Sequence, residues 1–222
     1  MILDPMYFII VGPAFLLAMV ASFWVRSAFH SGESVPTGIS GAEAARRILD
    51  QAGLSQLDIE EIPGELSDHY DPTARVLRLS TAVYRGRNAS AVGVAAHEAG
   101  HAIQHAEKYA PLIVRNLAVP LAGLGSNAGI WMFILGMIFA MKPLVLAGIV
   151  LFSGVVFFQV VNLPVELNAS SRARVLLTNM GVFSDEALAK VSRVLTAAAM
   201  TYVAATLQAI LTLVYLLMRS RE

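Results

Sequence analysis

The chain has 222 residues, of which 56% are hydrophobic and only 14% are charged. This balance is unusual for a soluble domain and indicates a membrane protein. The 16 basic and 16 acidic side chains give a net charge of zero. The sequence has neither a phosphate-binding glycine loop nor a basic surface with interleaved aromatic residues, so nucleic acid is excluded as a partner. The absence of cysteine excludes disulfides, thiol nucleophiles and thiolate metal ligands.

The first predicted element is an apolar segment at residues 5–25, within a predicted membrane anchor of residues 1–28. The segment carries no charge and reaches the length of roughly 20 residues that a membrane-spanning helix needs. It follows Asp4 rather than a basic region and has no small-x-small cleavage site, so we interpret it as a retained anchor and not as a signal peptide.

Residues 29–112 are predicted to form a small cytoplasmic α+β module. Ser40 and Glu43 match a capping box at the start of a helix over Gly41–Gln51, and Gly53 is its predicted stop. Alternating apolar residues between turn signals then predict two or three short strands. These strands lie at residues 57–62, 65–70 and 75–79.

The next predicted helix, capped by Asn88 or Ser90, contains the sequence HEAGH and matches the HExxH pattern of zinc hydrolases. Four residues advance an α-helix by about 6 Å and only about 40°, so His97 and His101 can bind one zinc ion. Glu98 is the predicted catalytic base. It would accept a proton from the water that the ion activates and pass it to the leaving amine.

The two histidines need a third ligand from the protein, as catalytic zinc sites usually have three. His105 lies eight residues beyond His97, about 12 Å along the helix axis, whereas two nitrogens bound to one zinc are no more than roughly 4 Å apart. His105 and Glu107 are therefore excluded, and the third ligand must come from another element. We predict that His105 either supports the zinc ligands or is an exposed helix residue.

A transmembrane bundle is predicted over residues 113–222, with spans near residues 117–141, 143–165 and 194–218. Nine of the 16 basic residues precede this bundle's first span and four lie in segment 166–193, which predicts that both regions are cytoplasmic. With four spans, Arg219 and Arg221 would lie outside the cytoplasm, against this rule. Either the last segment lies at the membrane interface or the two arginines are tolerated outside, and we prefer four spans. The predicted fold class is a membrane α-helical protein with about four transmembrane helices and a small zincin-like α+β module.

Glu166 is the predicted third ligand, because it is the only acidic residue between Glu107 and Asp185 and stands where a span emerges on the cytoplasmic side. A glutamate at a span end is more often a solvated boundary residue, but the incomplete histidine pair favours ligation. Two histidines and one glutamate leave a fourth position for water, which is the catalytic arrangement of zinc.

With these features the chain resembles the YugP-like membrane zinc metallopeptidases, and more distantly the HtpX-type and CAAX-prenyl membrane endopeptidases. The resemblance covers nearly the whole chain and rests on the opening anchor and three motifs. These are DHYDP at residues 68–72, HEAGHAIQH at residues 97–105 and LPVE at residues 163–166. It implies a membrane-integrated peptidase with Glu98 as catalytic base and with His97, His101 and Glu166 as zinc ligands.

The resemblance also implies an acidic residue shortly after the third ligand, where this chain has Asn168 and Ser170. An acid there would orient a ligating histidine through its other ring nitrogen, and the neutral oxygens of Asn168 or Ser170 can do so with less charge. Together with His105, these two residues are the candidates for supporting the zinc ligands.

The predicted function is that of an integral membrane zinc metalloendopeptidase of the cell membrane, with its active site on the cytoplasmic side. Its expected partners are the lipid bilayer and a polypeptide substrate, itself membrane-associated. The alternatives are a metal-binding membrane scaffold without proteolytic activity and a metal transporter. Glu98 argues against the scaffold, and the lack of ionisable residues in the spans argues against the transporter.

Substrate alignment is predicted to use an edge strand near the metal, because an extended peptide can add to a sheet by main-chain pairing. Residues 75–79 are the predicted edge strand. His69, Tyr70 and Tyr84 are considered as donors to the developing oxyanion. Each is better explained as a structural residue, so none is placed in the catalytic set.

Overall fold

The computed structural model of the protein describes residues 4–221, and most of them are helical. A π-helical turn, Gly125–Gly129, joins the fifth and sixth helices. The elements in chain order are α1 (Pro5–Glu33), α2 (Gly41–Gln51), β1 (Asp58–Ile62), β2 (His69–Asp71), β3 (Val76–Ser80), α3 (Thr81–Arg85), α4 (Ala89–Ala106), α5 (Ala110–Leu124), α6 (Ile130–Ile138), α7 (Lys142–Met180) and α8 (Asp185–Arg219).

Within residues 4–221, four helical segments are long and apolar enough to cross a membrane. They are α1, the run Ala110–Ile138 that combines α5 with α6, then α7 and α8. Large apolar side chains are exposed along them, for example Phe23 at 76% and Val150 at 71%. Such surfaces suit contact with lipid. The predicted class, a membrane α-helical protein with four spans and a small α+β part, is confirmed.

The last two helices are longer than a span requires. α7 has 39 residues and α8 has 35, whereas about 20 residues cross the hydrocarbon core of a bilayer. Segment 166–193 is therefore mostly helical, because α7 continues to Met180 and α8 begins at Asp185. Glu166 lies on this continuation of α7.

The described chain divides into two compact units. One, which we call the apolar unit, contains residues 4–22, Ala110–Val165 and residues 200–221. The other, the α+β unit, contains Phe23–Tyr109 and Glu166–Ala199. The helices α1, α7 and α8 each contribute residues to both units.

Glycine allows close helix packing inside the apolar unit. A Cβ atom on Gly148 would lie 2.7 Å from the carbonyl oxygen of Gly129 and 2.6 Å from the backbone nitrogen of Phe133. Real side chains do not tolerate such distances, so the backbones of α7 and the second span approach directly. Phe133 is part of the buried core of this unit.

The sheet of the α+β unit has the order β1-β3-β2, with β1 parallel and β2 antiparallel to β3. The three predicted strands are confirmed, but β2 begins at His69 and not at residue 65. Gly64 and Leu66 adopt positive φ angles of 104° and 55°, which interrupts an extended strand. Asp68 instead accepts hydrogen bonds from the backbone nitrogen and hydroxyl of Ser80 at 2.8 and 3.0 Å.

The prediction that residues 75–79 form an edge strand is wrong. β3 is the central strand and pairs on both sides. Leu77 and Leu79 of β3 are completely buried, as expected of a strand covered by neighbours. The edges of the sheet are β1 and β2, and β2 contacts α4 through a hydrogen bond from the backbone nitrogen of Tyr70 to Glu98.

The predicted capping box of α2 is confirmed. Ser40 Oγ accepts a hydrogen bond from the backbone nitrogen of Glu43 at 3.2 Å, and Glu43 Oε2 accepts one from the backbone nitrogen of Ser40 at 2.8 Å. Gly53 has a φ of 73° just after the helix, as predicted for its stop. The apolar face of α2 joins α4 in the buried core of the α+β unit. Its buried side chains are Ala44, Ala45, Ile48 and Leu49.

Candidate metal centre

The helix α4 presents two histidines on one face. Its N-cap is Asn88, the first of the two predicted caps, whose side-chain oxygen accepts a hydrogen bond from the backbone nitrogen of Ala91 at 2.9 Å. One helical turn separates His97 from His101, and their ring centroids are 4.8 Å apart with nearly perpendicular planes. Both rings are buried, with exposures of 9% and 8%.

Gly100 lets α7 approach α4 closely. A Cβ atom at this position would lie 3.0 Å from the carbonyl oxygen of Ala169, a residue of α7. Gly93 similarly allows α8 to approach α4, because a Cβ there would lie 3.3 Å from the side chain of Val191 on α8. Since Ala169 is about one turn beyond Glu166, this approach brings the glutamate to the histidines.

Within residues 4–221, the histidine and acidic side chains close enough to share a metal ion are His97, His101 and Glu166, whose ligand atoms lie within 4.8 Å of one another. Glu166 Oε2 is 3.2 Å from His97 Nε2 and 3.5 Å from His101 Nε2. Two ligands bound to one tetrahedral zinc at about 2.1 Å are about 3.4 Å apart. The distances and the nitrogen and oxygen donors therefore fit a zinc ion.

Glu98 lies beside this group of ligand atoms. Its Oε2 accepts a hydrogen bond from the backbone nitrogen of Tyr70 on β2 at 3.1 Å. Burial raises the pKa of the Glu98 carboxyl, and the neighbouring His101 and His97 act in the opposite direction. A carboxyl in this position can accept a proton and return it.

The second ring nitrogens of both histidines have polar neighbours. His97 Nδ1 lies 3.1 Å from Ser170 Oγ, and His101 Nδ1 lies 3.0 Å from Gln104 Oε1. Asn168 is one step farther away, because its Oδ1 accepts a hydrogen bond from Gln104 Nε2 at 2.9 Å. Gln104 is not among the residues predicted from the sequence, although its spacing of three residues from His101 on one helix indicates that the two side chains can meet.

His105 and Glu107 contact residues other than the candidate zinc ligands, as the helix geometry predicts. The hydroxyl of Tyr70 lies 2.8 Å from His105 Nδ1, and their rings pack at a centroid distance of 5.7 Å. Glu107 pairs with Arg172 at 2.6 Å, which holds the pKa of the Glu107 carboxyl below its usual range. Of the three residues proposed to support the ligands, Ser170 touches one directly, Asn168 acts through Gln104, and His105 contacts Tyr70.

The three residues considered as oxyanion donors all have structural contacts. His69 is exposed, and its Nδ1 lies 2.7 Å from the carbonyl oxygen of Ser67. Tyr70 contacts His105 through its hydroxyl. Tyr84 is partly buried and packs against the core of the α+β unit. These contacts agree with leaving the three residues out of the catalytic set.

The chain is similar in sequence to known proteins. Residues 7–221 match the protein family described as "Putative neutral zinc metallopeptidase". The chain is also 46% identical over 198 residues to "Putative membrane protease YugP" of Bacillus subtilis (strain 168), with 86% of this chain and 88% of the relative covered. No solved structure matches. Since the match extends over nearly its whole length, the chain belongs to this neutral zinc metallopeptidase family.

Proposed function

We propose that this protein is an integral membrane zinc metalloendopeptidase that hydrolyses peptide bonds of membrane or membrane-proximal proteins. The observation that carries the proposal is the convergence of three ligand atoms, from His97, His101 and Glu166, next to the carboxylate of Glu98. Family membership supports hydrolase chemistry that uses zinc, and the four apolar helices support a membrane location.

Glu98 performs the proton transfers in this proposal. Zinc, when bound, supplies a Lewis acid that polarises the substrate carbonyl and makes a water molecule nucleophilic at neutral pH. The Tyr70 N–H group holds Glu98 Oε2 at 3.1 Å, which leaves Oε1 to take a proton from the attacking water. Once it has taken up this proton, the Glu98 carboxyl can give it to the leaving amine.

The edge strand β2 is the proposed place for substrate alignment. Its Tyr70 N–H group points to Glu98, and in a strand the carbonyl of the same residue leaves on the same side. Because the Tyr70 N–H is donated to Glu98, an extended substrate peptide would pair with this edge through the Tyr70 carbonyl, with its main chain beside the catalytic carboxylate. Strand addition on β2 thus replaces the predicted use of residues 75–79.

The proposed active site faces the cytoplasm. The two chain segments that build the α+β unit carry most of the basic residues, eight between Arg26 and Lys108 and four between Arg172 and Arg193. Regions rich in Lys and Arg next to membrane spans are retained on the cytoplasmic side. A site that faces the cytoplasm would act on cytoplasmic or juxtamembrane segments of its substrates.

The test is cleavage of an unstructured protein by the detergent-purified enzyme before chelation, after chelation and after zinc is added back. We expect cleavage to disappear with the metal and to return with one zinc per chain. Bound zinc without any cleavage of soluble or membrane-inserted substrates would instead support a scaffold. Zinc flux into liposomes that contain the protein would support a transporter.

A further inference from the structure

The second span, Ala110–Ile138, exposes an amide side chain near its middle. Of the four amide side chains in the charge-free parts of the spans, that of Asn127 is exposed and the other three are buried or partly buried, namely Gln159, Asn162 and Gln208. Asn127 lies two residues from the centre of the charge-free segment 117–141, which is about 3 Å along a helix. The amide therefore lies near the middle of the bilayer.

The Asn127 amide needs a hydrogen-bond partner, because the hydrocarbon core contains no water. Within residues 4–221, the structure gives this side chain no partner. The headgroups are about 15 Å away from the middle of the bilayer, too far for a short side chain to reach. The carbonyl oxygen of Gly123, one turn earlier, already accepts a hydrogen bond from Ser126 Oγ at 3.1 Å. The partner of the amide is therefore expected outside this chain.

The surface around Asn127 is open to a neighbouring helix. Asn127 lies in the π-helical turn Gly125–Gly129, an irregularity that is frequent at functional sites. Ser126 is exposed beside it, and Gly123 is exposed one turn earlier, where a Cβ atom would meet nothing within 4 Å. Such small residues let helix backbones approach, and a polar side chain among them can hydrogen-bond across the contact. We call the surface formed by Gly123, Ser126 and Asn127 the Asn127 face.

We propose that the Asn127 face binds the same face of a second copy of this protein in the membrane, with the two Asn127 amides hydrogen-bonded to each other across a two-fold axis. An amide presents both an oxygen and an NH₂ group, so two identical amides can satisfy each other. Two-fold contacts are also the commonest kind in symmetric protein assemblies. This contact goes beyond the proposed peptidase activity and does not depend on it.

A second copy fits the Asn127 face better than a substrate helix does. The amide is part of the span, so an unpaired state costs free energy in every copy of the protein at all times. A substrate would cover the amide only during cleavage and would leave it facing lipid between turnovers. A second copy is present wherever the protein is abundant, and it supplies an identical amide at the same depth in the bilayer.

Cysteine cross-linking locates the contact, because the chain has no cysteine of its own. Ser126→Cys places a thiol beside Asn127, and Val150→Cys is the matched control on α7, at a residue that is 71% exposed. Both residues lie in charge-free parts of the spans, so the same membrane-permeant oxidant reaches both thiols. In native membranes we expect disulfide-linked dimers of Ser126→Cys and none of Val150→Cys.

The strength of the contact is measured by Förster energy transfer between donor-labelled and acceptor-labelled copies in liposomes, over a range of lipid-to-protein ratios. Asn127→Leu keeps the approximate size of the side chain and removes the amide, and a leucine on an exposed part of a span suits lipid. We expect this variant to fold, as circular dichroism will show, and its dimer to dissociate about 3-fold to 30-fold more readily. Asn127→Gln retains an amide and should keep most of the dimer.

Three results would overturn the proposal. The wild type could remain monomeric at every lipid-to-protein ratio, Asn127→Leu could dimerise as tightly as the wild type, or the thiols at residues 126 and 150 could cross-link equally. A disulfide between Ser126→Cys and a different membrane protein, without a dimer of this chain, would also overturn it and would assign the Asn127 face to that protein. Each of these results can be obtained whether or not the protein cleaves peptides.

Discussion

Glu166 is the one ligand of the candidate zinc centre that comes from a second helix. It is 6% exposed and lies 3.2 Å from His97 Nε2. Loss of an outer hydrogen-bonding partner of a zinc ligand typically costs about 10-fold to 100-fold in affinity, and loss of the ligand itself should cost more. We expect Glu166→Ala to lose bound zinc while its helices stay folded, measured by metal analysis and circular dichroism.

Glu107→Ala is the control for this prediction, because Glu107 is an acidic residue of the same α+β unit that pairs with Arg172 and not with the histidines. It should keep its zinc. If Glu166→Ala also retained one zinc per chain at wild-type affinity, Glu166 would not be a ligand.

Asp71 gives the α+β unit a pH-dependent stability. Its Oδ1 accepts hydrogen bonds from the backbone nitrogens of Ala74 and Thr73, and its Oδ2 pairs with Arg78 at 2.7 Å. These contacts, with the Ala74 hydrogen bond foremost, hold the pKa of the Asp71 carboxyl below its usual range. A lowered pKa in the folded state stabilises the fold above the unfolded-state value of about 3.9.

We therefore expect Asp71→Asn to melt at a lower temperature than the wild type at pH 6. The difference should shrink as the pH falls below about 4, because only the wild type loses a favourable carboxylate there. Thermal unfolding in detergent at several pH values measures it. A difference that stayed constant down to pH 3, or that grew on acidification, would contradict this account of Asp71.

At the residue scale, the sequence indicated those site residues whose chemistry is distinctive. His97, Glu98 and His101 form a recognised spacing, and Glu166 is conspicuous as an isolated acid at the end of an apolar segment. Gln104 was not predicted, because a neutral amide in a helix is common. Its other contact, with Asn168, joins residues that are distant in sequence and become neighbours only through folding.

At the element scale, signals between neighbouring residues predict the helix caps, whereas the order of the strands in the sheet cannot be predicted from them. The capping box of α2 and the Asn88 cap of α4 depend on residues within three positions, so the sequence contains them directly. The order of the strands depends on pairings between distant segments, and the short strands carry too little alternation to show which one is central. The sequence therefore does not distinguish a central β3 from an edge strand.

The close contact of α4 with α7 supports a prediction at this scale. Gly100→Ala would place a Cβ 3.0 Å from the carbonyl oxygen of Ala169, and overpacking of this kind costs about 1–3 kcal/mol. The helices should move apart and separate Glu166 from the histidines, so we expect zinc affinity to fall by about 10-fold for each 1.4 kcal/mol needed to bring the ligands back together.

Gly38→Ala is the matched control, since a Cβ on Gly38 would meet nothing within 4 Å. Chelator competition on both variants provides the measurement. Equal zinc affinities in Gly100→Ala and Gly38→Ala would show that the helix approach at Gly100 does not position the ligands.

At the scale of the whole molecule, composition predicted the four spans because the thickness of a bilayer sets their length. It did not predict how far the helices continue. α7 extends to Met180 because Ala173 and Leu177 are completely buried in the core of the α+β unit. Hydropathy alone does not reveal such packing, since these residues lie among the polar and charged residues of segment 166–193.

The proposed membrane orientation can be tested because the chain has no cysteine. Glu65→Cys places a single thiol in the exposed loop before β2, and Lys142→Cys places one at the exposed start of α7. With a membrane-impermeant maleimide, intact cells or spheroplasts should label Lys142→Cys, whereas Glu65→Cys should react only after permeabilisation. The opposite pattern would place the candidate site outside the cytoplasm.

The most direct test of the peptidase account is a comparison of the wild type with Glu98→Gln, with zinc content and cleavage measured on the same preparations. Gln keeps the size of the side chain and an oxygen for the Tyr70 N–H group, but it cannot carry the proton. We predict one zinc per chain in both proteins and chelator-sensitive cleavage of an unstructured protein by the wild type alone. Cleavage by Glu98→Gln at the wild-type rate would contradict the account.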